Sequence, residues 1–297
     1  MAQIKAIIAD LDGTLINDQH QISPYTRSVI QRAKAAYKEK YNAPLYFIVA
    51  TGRPYPDVFG TLKDCELDPD YIITGNGARV HDRAHQLLIK HDIPPHAVLD
   101  ILRLKDVPDT VHYRSADDPR PYSAYIEGRP FIINVNTEDR WITDKVLPRV
   151  RSAFHPSYAY EATDPQQYTE ADLVGTHSIW LRGERDVLTK VKDYIDHRHG
   201  KVVSTVFSRG YIVDCNPYGI NKGEALEEVA QRLGIDVTDV AAFGDGMNDE
   251  TMLRTAGHPF IMENGAADLK AALPHATVIG HHAQDGVAHK IEELFLS

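Results

Sequence analysis

Short apolar runs that stop at glycine- or aspartate-bearing turns recur near both ends of the chain, and no other feature constrains its fold as strongly. The run Ile4 to Ala9 ends at Asp10, Leu45 to Ala50 at Thr51-Gly52-Arg53, and Tyr71 to Thr74 at Gly75-Asn76-Gly77. After the first run, Ser23-Pro24 offers a cap and a proline whose fixed φ suits the first helical position. Val29, Ile30, Ala33 and Tyr37 follow at helical spacing and predict a helix to about Lys40. The same rhythm returns late in the chain. Asn221-Lys222-Gly223-Glu224 resembles a capping box, Leu226, Val229, Ala230 and Leu233 share one face, and Gly234 is the stop. Val240 to Phe243, Pro259 to Met262 and Thr277 to Ile279 then read as strands. Strands apolar on both faces, alternating with amphipathic helices, specify an α/β class: a Rossmann-like, doubly wound parallel sheet.

The middle follows a different pattern. Val111 to Ser115, Tyr122 to Glu127 and Phe131 to Val135 are short strands split by turn residues. Helical patterns flank them at Ala97 to Leu104, Ile142 to Phe154 and Asp186 to His197. This predicts an α+β cap with an antiparallel sheet over residues 85–217, leaving 1–84 and 218–297 as one discontinuous catalytic core. Asn216-Pro217-Tyr218-Gly219 is a suitable hinge at the second boundary.

Composition narrows the function classes. With 297 residues, 25% charged and 43% hydrophobic, the chain has globular values and room for a sizeable core. A formal net charge of -10 argues against nucleic acid as a partner, because such binders carry a basic stripe. Two cysteines, Cys65 and Cys215, are too few for a disulfide framework. No apolar run approaches the roughly 18 residues a membrane span needs. The start, Met1 to Lys5, leads to Asp10 without an apolar signal region, so a cytoplasmic monomer or small homo-oligomer is expected.

In an open α/β sheet the ligand crevice lies outside the carboxyl ends of the strands, where four short motifs sit. Asp10 and Asp12, two residues apart, can reach one reacting group, one carboxylate attacking while the other handles a proton. Gly13 lets the backbone turn closely. The Thr51 hydroxyl and Gly52 N–H can hold phosphoryl oxygens, and Lys222 can offset charge on nucleophile and phosphate. Gly244-Asp245-Gly246-Met247-Asn248-Asp249 brings carboxylates to another strand end, suited to an oxygen-loving Mg²⁺.

Together these motifs resemble the haloacid dehalogenase superfamily, specifically its Cof-type phosphatases with a large cap inserted between the second and third motifs. The resemblance covers nearly the whole chain and includes Gly75 to Ala78 and Asp285-Gly286-Val287. It implies Asp10 as nucleophile and Asp12 as general acid, then base. Thr51 and Lys222 would bind the phosphoryl group. Mg²⁺ would be held by Asp10, the Asp12 carbonyl and Asp245, with Asn248 or Asp249 in support. The implied reaction is hydrolysis of a small phosphorylated metabolite, foremost a sugar phosphate, through an aspartyl-phosphate, with the cap setting specificity. Two departures stand out. Glu250-Thr251 precede Met252 where the subgroup carries an aliphatic-Pro pair, and Met262-Glu263-Asn264-Gly265 stands where it reads Met-Gly-Asn-Ala.

Each assignment has a rival. Asp10 to Gly13 fits a turn, Lys222 a solvated helix residue, and Asp249 the N-cap of the next helix. Arg53 and Asn76 fit substrate contacts or loop-holding hydrogen bonds equally. The 15 histidines, including His197, His199, His281 and His282, lack cysteine partners and are expected on the surface rather than on zinc. Tyr113, Tyr122 and Tyr125 suit sugar stacking or strand pairing. A phosphotransferase or mutase on the same fold, and a binding protein without turnover, remain as alternative functions.

Overall fold

The computed structural model describes residues 3–104, 131–143, 154–156, 158, 160–162 and 167–297. The chain divides into two compact units, Met1–Lys90 with Asn221–Ser297, and His91–Ile220. In chain order the first unit opens with β1 (Ala6–Ala9), α1 (Pro24–Tyr41), β2 (Tyr46–Ala50), α2 (Tyr55–Asp64), β3 (Tyr71–Thr74), β4 (Arg79–Asp82) and β5 (Leu87–Lys90). The second unit holds α3 (Pro95–Leu102), β6 (Ile132–Asn136), β7 (Trp141–Thr143), β8 (Tyr160–Ala162), β9 (Ser178–Arg182), α4 (Arg185–His199), β10 (Val203–Arg209) and β11 (Ile212–Pro217). The first unit then resumes with α5 (Lys222–Leu233), β12 (Val240–Gly244), α6 (Glu250–Thr255) and β13 (His258–Met262). It ends with α7 (Ala267–Ala272), β14 (Thr277–Ile279) and α8 (Gly286–Phe295).

The first unit is built on an eight-stranded sheet of order β14-β13-β12-β1-β2-β3-β4-β5. The six strands from β14 to β3 run parallel. Period-two alternation explains the apolar runs. Ile7 and Ala9 pack with Val29 and Ile30 of α1, Val58 of α2 and Ile291 of α8. Ala6 and Ile8 face the other way, toward Leu226 and Val229 of α5, Met252 of α6 and Leu269 of α7. A strand covered on both sides has no polar face to show in its sequence. The helix ends follow the capping logic. Ser23 Oγ accepts from Thr26 N at 3.0 Å, and Asn221 Oδ1 accepts from Gly223 N and Glu224 N at 2.9 and 3.0 Å. Gly234 closes α5 in the left-handed region, at φ 67°. β4 joins this sheet antiparallel to β3, and β5 antiparallel to β4, an edge that the sequence reading did not foresee.

The second unit has a six-stranded sheet of order β10-β11-β9-β6-β7-β8, antiparallel except for the β7–β8 pair. Its core joins Ile133, Val135, Ile179 and Leu181 to Val98 and Ile101 of α3 and Leu188 and Val191 of α4. Ile142 and Thr143 lie on β7 and not on the expected helix, their side chains buried on a sheet strand. The rest of that helix to residue 153, the strands expected at Val111 to Ser115 and Tyr122 to Glu127, and Tyr113, Tyr122 and Tyr125 fall outside the described residues. His199 is buried, contrary to a surface role: it pairs with Asp100 at 2.7 Å, which also accepts from Tyr194 Oη and Arg198 Nε at 3.0 Å each. Burial pushes the Asp100 carboxyl up, but the His199 bond, the Arg198 charge and the Tyr194 bond outweigh it and hold it below the usual range. Among the described residues, no helix is long and apolar enough to cross a membrane.

Candidate active site

The turn after β1 is the centre of the site. Asp10 N donates to Phe243 O at 2.9 Å, so β12 fixes where the first carboxylate leaves the sheet. Leu15 N and Ile16 N both donate to Leu11 O, at 3.1 and 2.8 Å, and fold the backbone back on itself. Gly13 makes this possible. Its φ is +74°, and a Cβ there would lie 2.4 Å from Asp245 Oδ2, so any other residue would push the two acidic turns apart.

Lys222, in the first turn of α5, is fully buried, and its Nζ donates to Asp10 Oδ1 and Asp249 Oδ1 at 2.6 Å each. The second oxygen of Asp249 accepts from Asp245 N and Gly246 N, both at 2.9 Å. Asp249 therefore organises the fourth motif. It occupies the N-cap position of α6 but makes no side-chain cap bond to that helix. Asp10, Asp245 and Asp249 each present a carboxylate oxygen, all within 4.8 Å of one another. Burial, followed by the neighbouring Asp249, Asp245 and Asp12, pushes the Asp10 carboxyl well above its usual range, and Lys222 only partly opposes this. Burial alone would lower the Lys222 ammonium, but Asp10 and Asp249 more than offset that and keep it charged. Three carboxylate oxygens converging beside one ammonium form an all-oxygen donor set of the kind that suits Mg²⁺.

Asp12 has a different cation. Arg53 Nε and Nη2 donate to its two oxygens at 2.6 Å each, while Nη1 reaches the fully buried Asp57 at 2.9 Å. Burial works against the Arg53 charge, but Asp12 and Asp57 raise its pKa further than burial lowers it. The loop-holding reading of Arg53 thus describes its contacts here. Thr51 is buried at the end of β2, and its Oγ1 accepts from Arg53 N at 3.1 Å. Gly52 lies beside Asn76, whose Oδ1 would be 3.0 Å from an added Cβ. Asn76 adopts φ +53° in its turn and accepts from Asn248 Nδ2 at 3.0 Å. The expected residues therefore form three neighbouring groups: Lys222 with Asp10, Asp245 and Asp249; Arg53 with Asp12; and Asn76 with Gly52 and Asn248. Sequence reasoning passed over Asp57, whose signal is its spacing four residues after Arg53 on α2.

Residues 7–291 match the family model for haloacid dehalogenase-like hydrolases. The chain belongs to that family, and within it the chain is a phosphatase. It is similar to the HMP-PP phosphatase of Escherichia coli O157:H7, at 31% identity over 290 residues, covering 97% of this chain and 94% of the relative. Its fold is shared with a haloacid dehalogenase-like hydrolase from B. subtilis, at a TM-score of 0.77 and 22% identity over 98% of this chain and 99% of that one. Another from Bacteroides thetaiotaomicron gives a TM-score of 0.74 and 22% identity over 99% and 100%.

Proposed function

We propose that the chain hydrolyses small phosphate monoesters, foremost sugar phosphates, in a Mg²⁺-dependent reaction that passes through an aspartyl-phosphate on Asp10. The observation that carries this reading is the Lys222 ammonium bridging Asp10 and Asp249 beside Asp245. It holds Asp10 and Asp249 in place beside Asp245, so that three carboxylate oxygens converge as a bound cation would require. Asp10, the Asp12 carbonyl and Asp245 would hold Mg²⁺, with Asn248 and Asp249 in support; the ion would supply positive charge to the transferring phosphoryl oxygens.

The chain's own groups do the rest. Asp10 attacks phosphorus as the ester bond breaks, and Asp12 gives a proton to the leaving oxygen. Water then attacks the phosphorus of the aspartyl-phosphate with Asp12 as base, releasing phosphate and restoring Asp10. Thr51, the Gly52 N–H and Lys222 hold the equatorial oxygens, where the transition-state charge lies. The Arg53 fork favours the ionised Asp12 that the water step needs, so that pair has to open before Asp12 can act as an acid. The unit His91–Ile220 selects the leaving group, because the motif residues meet only what all phosphate monoesters share. Two unpaired, buried cysteines agree with a cytoplasmic setting.

The test is phosphate release from a panel of sugar phosphates, nucleotides and HMP-PP, the compound for which the relatives are named, with and without Mg²⁺. Mg²⁺-dependent release from sugar phosphates is expected. Equal rates in excess chelator would overturn the metal-dependent mechanism, and release from HMP-PP alone would replace the sugar-phosphate assignment.

A further inference from the structure

The turn that carries Asp10 and Asp12 is braced by the loop after β13. Asn264 Nδ2 donates to Gly13 O at 2.8 Å. Two residues on, Ala266 N donates to Asp245 O, also at 2.8 Å. One short loop therefore grips both acidic turns, the first through a side chain and the second through the backbone. Asn264 is itself fixed, since its Oδ1 accepts from His282 N at 3.1 Å. The His282 ring then reaches back to the same turn, and its Nδ1–H donates to Ile16 O at 2.7 Å. A carbonyl can only accept, so this contact places a proton on Nδ1. The other ring nitrogen lies 3.4 Å from Asp18 Oδ1.

We propose that Asn264, backed by His282, is a positioning residue for the reaction: it sets the separation between the Asp10 turn and the Asp245 turn, and through it the affinity for the metal. The inference rests on the Mg²⁺-dependent reading above. The contact between Gly13 and Asp245 limits only how closely the two turns approach. Nothing in that contact resists their moving apart, and apart from the Lys222 bridge to Asp249 a second tie between the turns is supplied by the loop after β13. The Asn264 bond opposes this movement, because the loop that carries it also holds Asp245 O through Ala266 N. A partner one step behind the ligands typically changes metal affinity or activity about 10- to 100-fold when removed.

The experiment compares wild type with Asn264→Ala, His282→Leu and His282→Asn. Mg²⁺ binding is measured by calorimetry, alongside kcat and KM for one phosphate ester. Asn264→Ala removes both side-chain bonds without adding charge, and should weaken Mg²⁺ binding about tenfold or more. It should lower kcat while leaving KM for the ester nearly unchanged. His282→Leu should show the same loss in smaller measure and serves if Asn264→Ala does not fold. His282→Asn restores a donor toward Ile16 O and should recover most of the loss. Wild-type Mg²⁺ affinity in both Asn264→Ala and His282→Leu would overturn the brace while leaving the metal-dependent reading intact. The absence of any Mg²⁺ binding by wild type would overturn both.

Discussion

Lys222→Met is the most informative single perturbation of this site. The methionine keeps an unbranched apolar stem in the fully buried space that the lysine fills but removes its ammonium. Asp10 Oδ1 and Asp249 Oδ1 each lose a partner at 2.6 Å, and the side chain of Asp249 is 0% exposed, so water cannot replace what is lost. Removing one partner of a buried ion pair costs about 3–5 kcal/mol, because the remaining charge stays buried and uncompensated. Two carboxylates share this ammonium, so the upper part of that range is expected, against a total stability of about 5–15 kcal/mol for a folded domain. Mg²⁺ should return part of the loss, since a cation that binds only the folded state at 100 times its Kd adds about 2.7 kcal/mol. The assay is urea unfolding of wild type and variant followed by circular dichroism, once in EDTA and once in Mg²⁺. A loss of less than about 1 kcal/mol in EDTA would refute the reasoning, because it would mean the carboxylates protonate or hydrate at little cost.

Asp10→Asn should reduce phosphate release to background with the fold intact, because an amide is not an anionic nucleophile; activity within about tenfold of wild type would sink the aspartyl-phosphate. EDTA should stop turnover, Mg²⁺ should restore it, and Ca²⁺ should replace it poorly because its coordination is larger and looser, which a chelation and add-back series measures. His81, stacked on Tyr55, should make stability pH-dependent: burial first, then Arg79 and His85, lower its pKa from 6.5 to about 4. The folded state then binds fewer protons than the unfolded one between those values. Stability is complete above pH 6.5 and falls toward pH 4 by about 3 kcal/mol, and His81→Gln should flatten that part of the denaturation profile. Replacing residues 91–220 with a short linker should leave a slow enzyme with little preference between small and bulky esters, and an unchanged substrate ranking would show that selection lies elsewhere.

The parts of the fold that the sequence made legible are those where a local rule and the global packing agree. Ser23, Pro24, Asn221 and Gly234 each satisfy or close a helix end and lie where their chemistry requires. The antiparallel edge was hidden because β4, Arg79-Val80-His81-Asp82, is polar at three of four positions, yet its first three residues are buried. Arg79 is fully enclosed and bonds Ala78 O at 2.8 Å, a contact no periodicity announces. Ile142 and Thr143 misled for the opposite reason: their apolar pattern continues into later residues, and a helix fits that pattern as well as a strand does. The acidic residues and Lys222 of the candidate site were readable as motifs, but the pairing of Arg53 with Asp12 was not. Which cation meets which carboxylate depends on two loops 41 residues apart, and that is settled only by the sheet order. His282 looked like a surface histidine because its partner, Ile16 O, is a backbone atom 266 residues away.

The pairing of β1 with β12 also sets the order in which the protein can be made. Ala6 registers with Val240 and Ala9 with Phe243, so β1 lacks this neighbour until Val240 to Phe243 have been synthesised. At about 5–20 residues per second that wait lasts roughly 10 to 50 s. During it, Ala6–Ala9 can pair with β2 on one side while the other edge, with its apolar faces, stays open. His91–Ile220 is one uninterrupted stretch and can close its own sheet in that interval. Asp10 and Lys222 therefore meet late, and the site forms only once the residues from Lys222 to Asp249 have been made. A nascent chain stalled before Val240 should present a protease-sensitive first segment beside an already resistant insert.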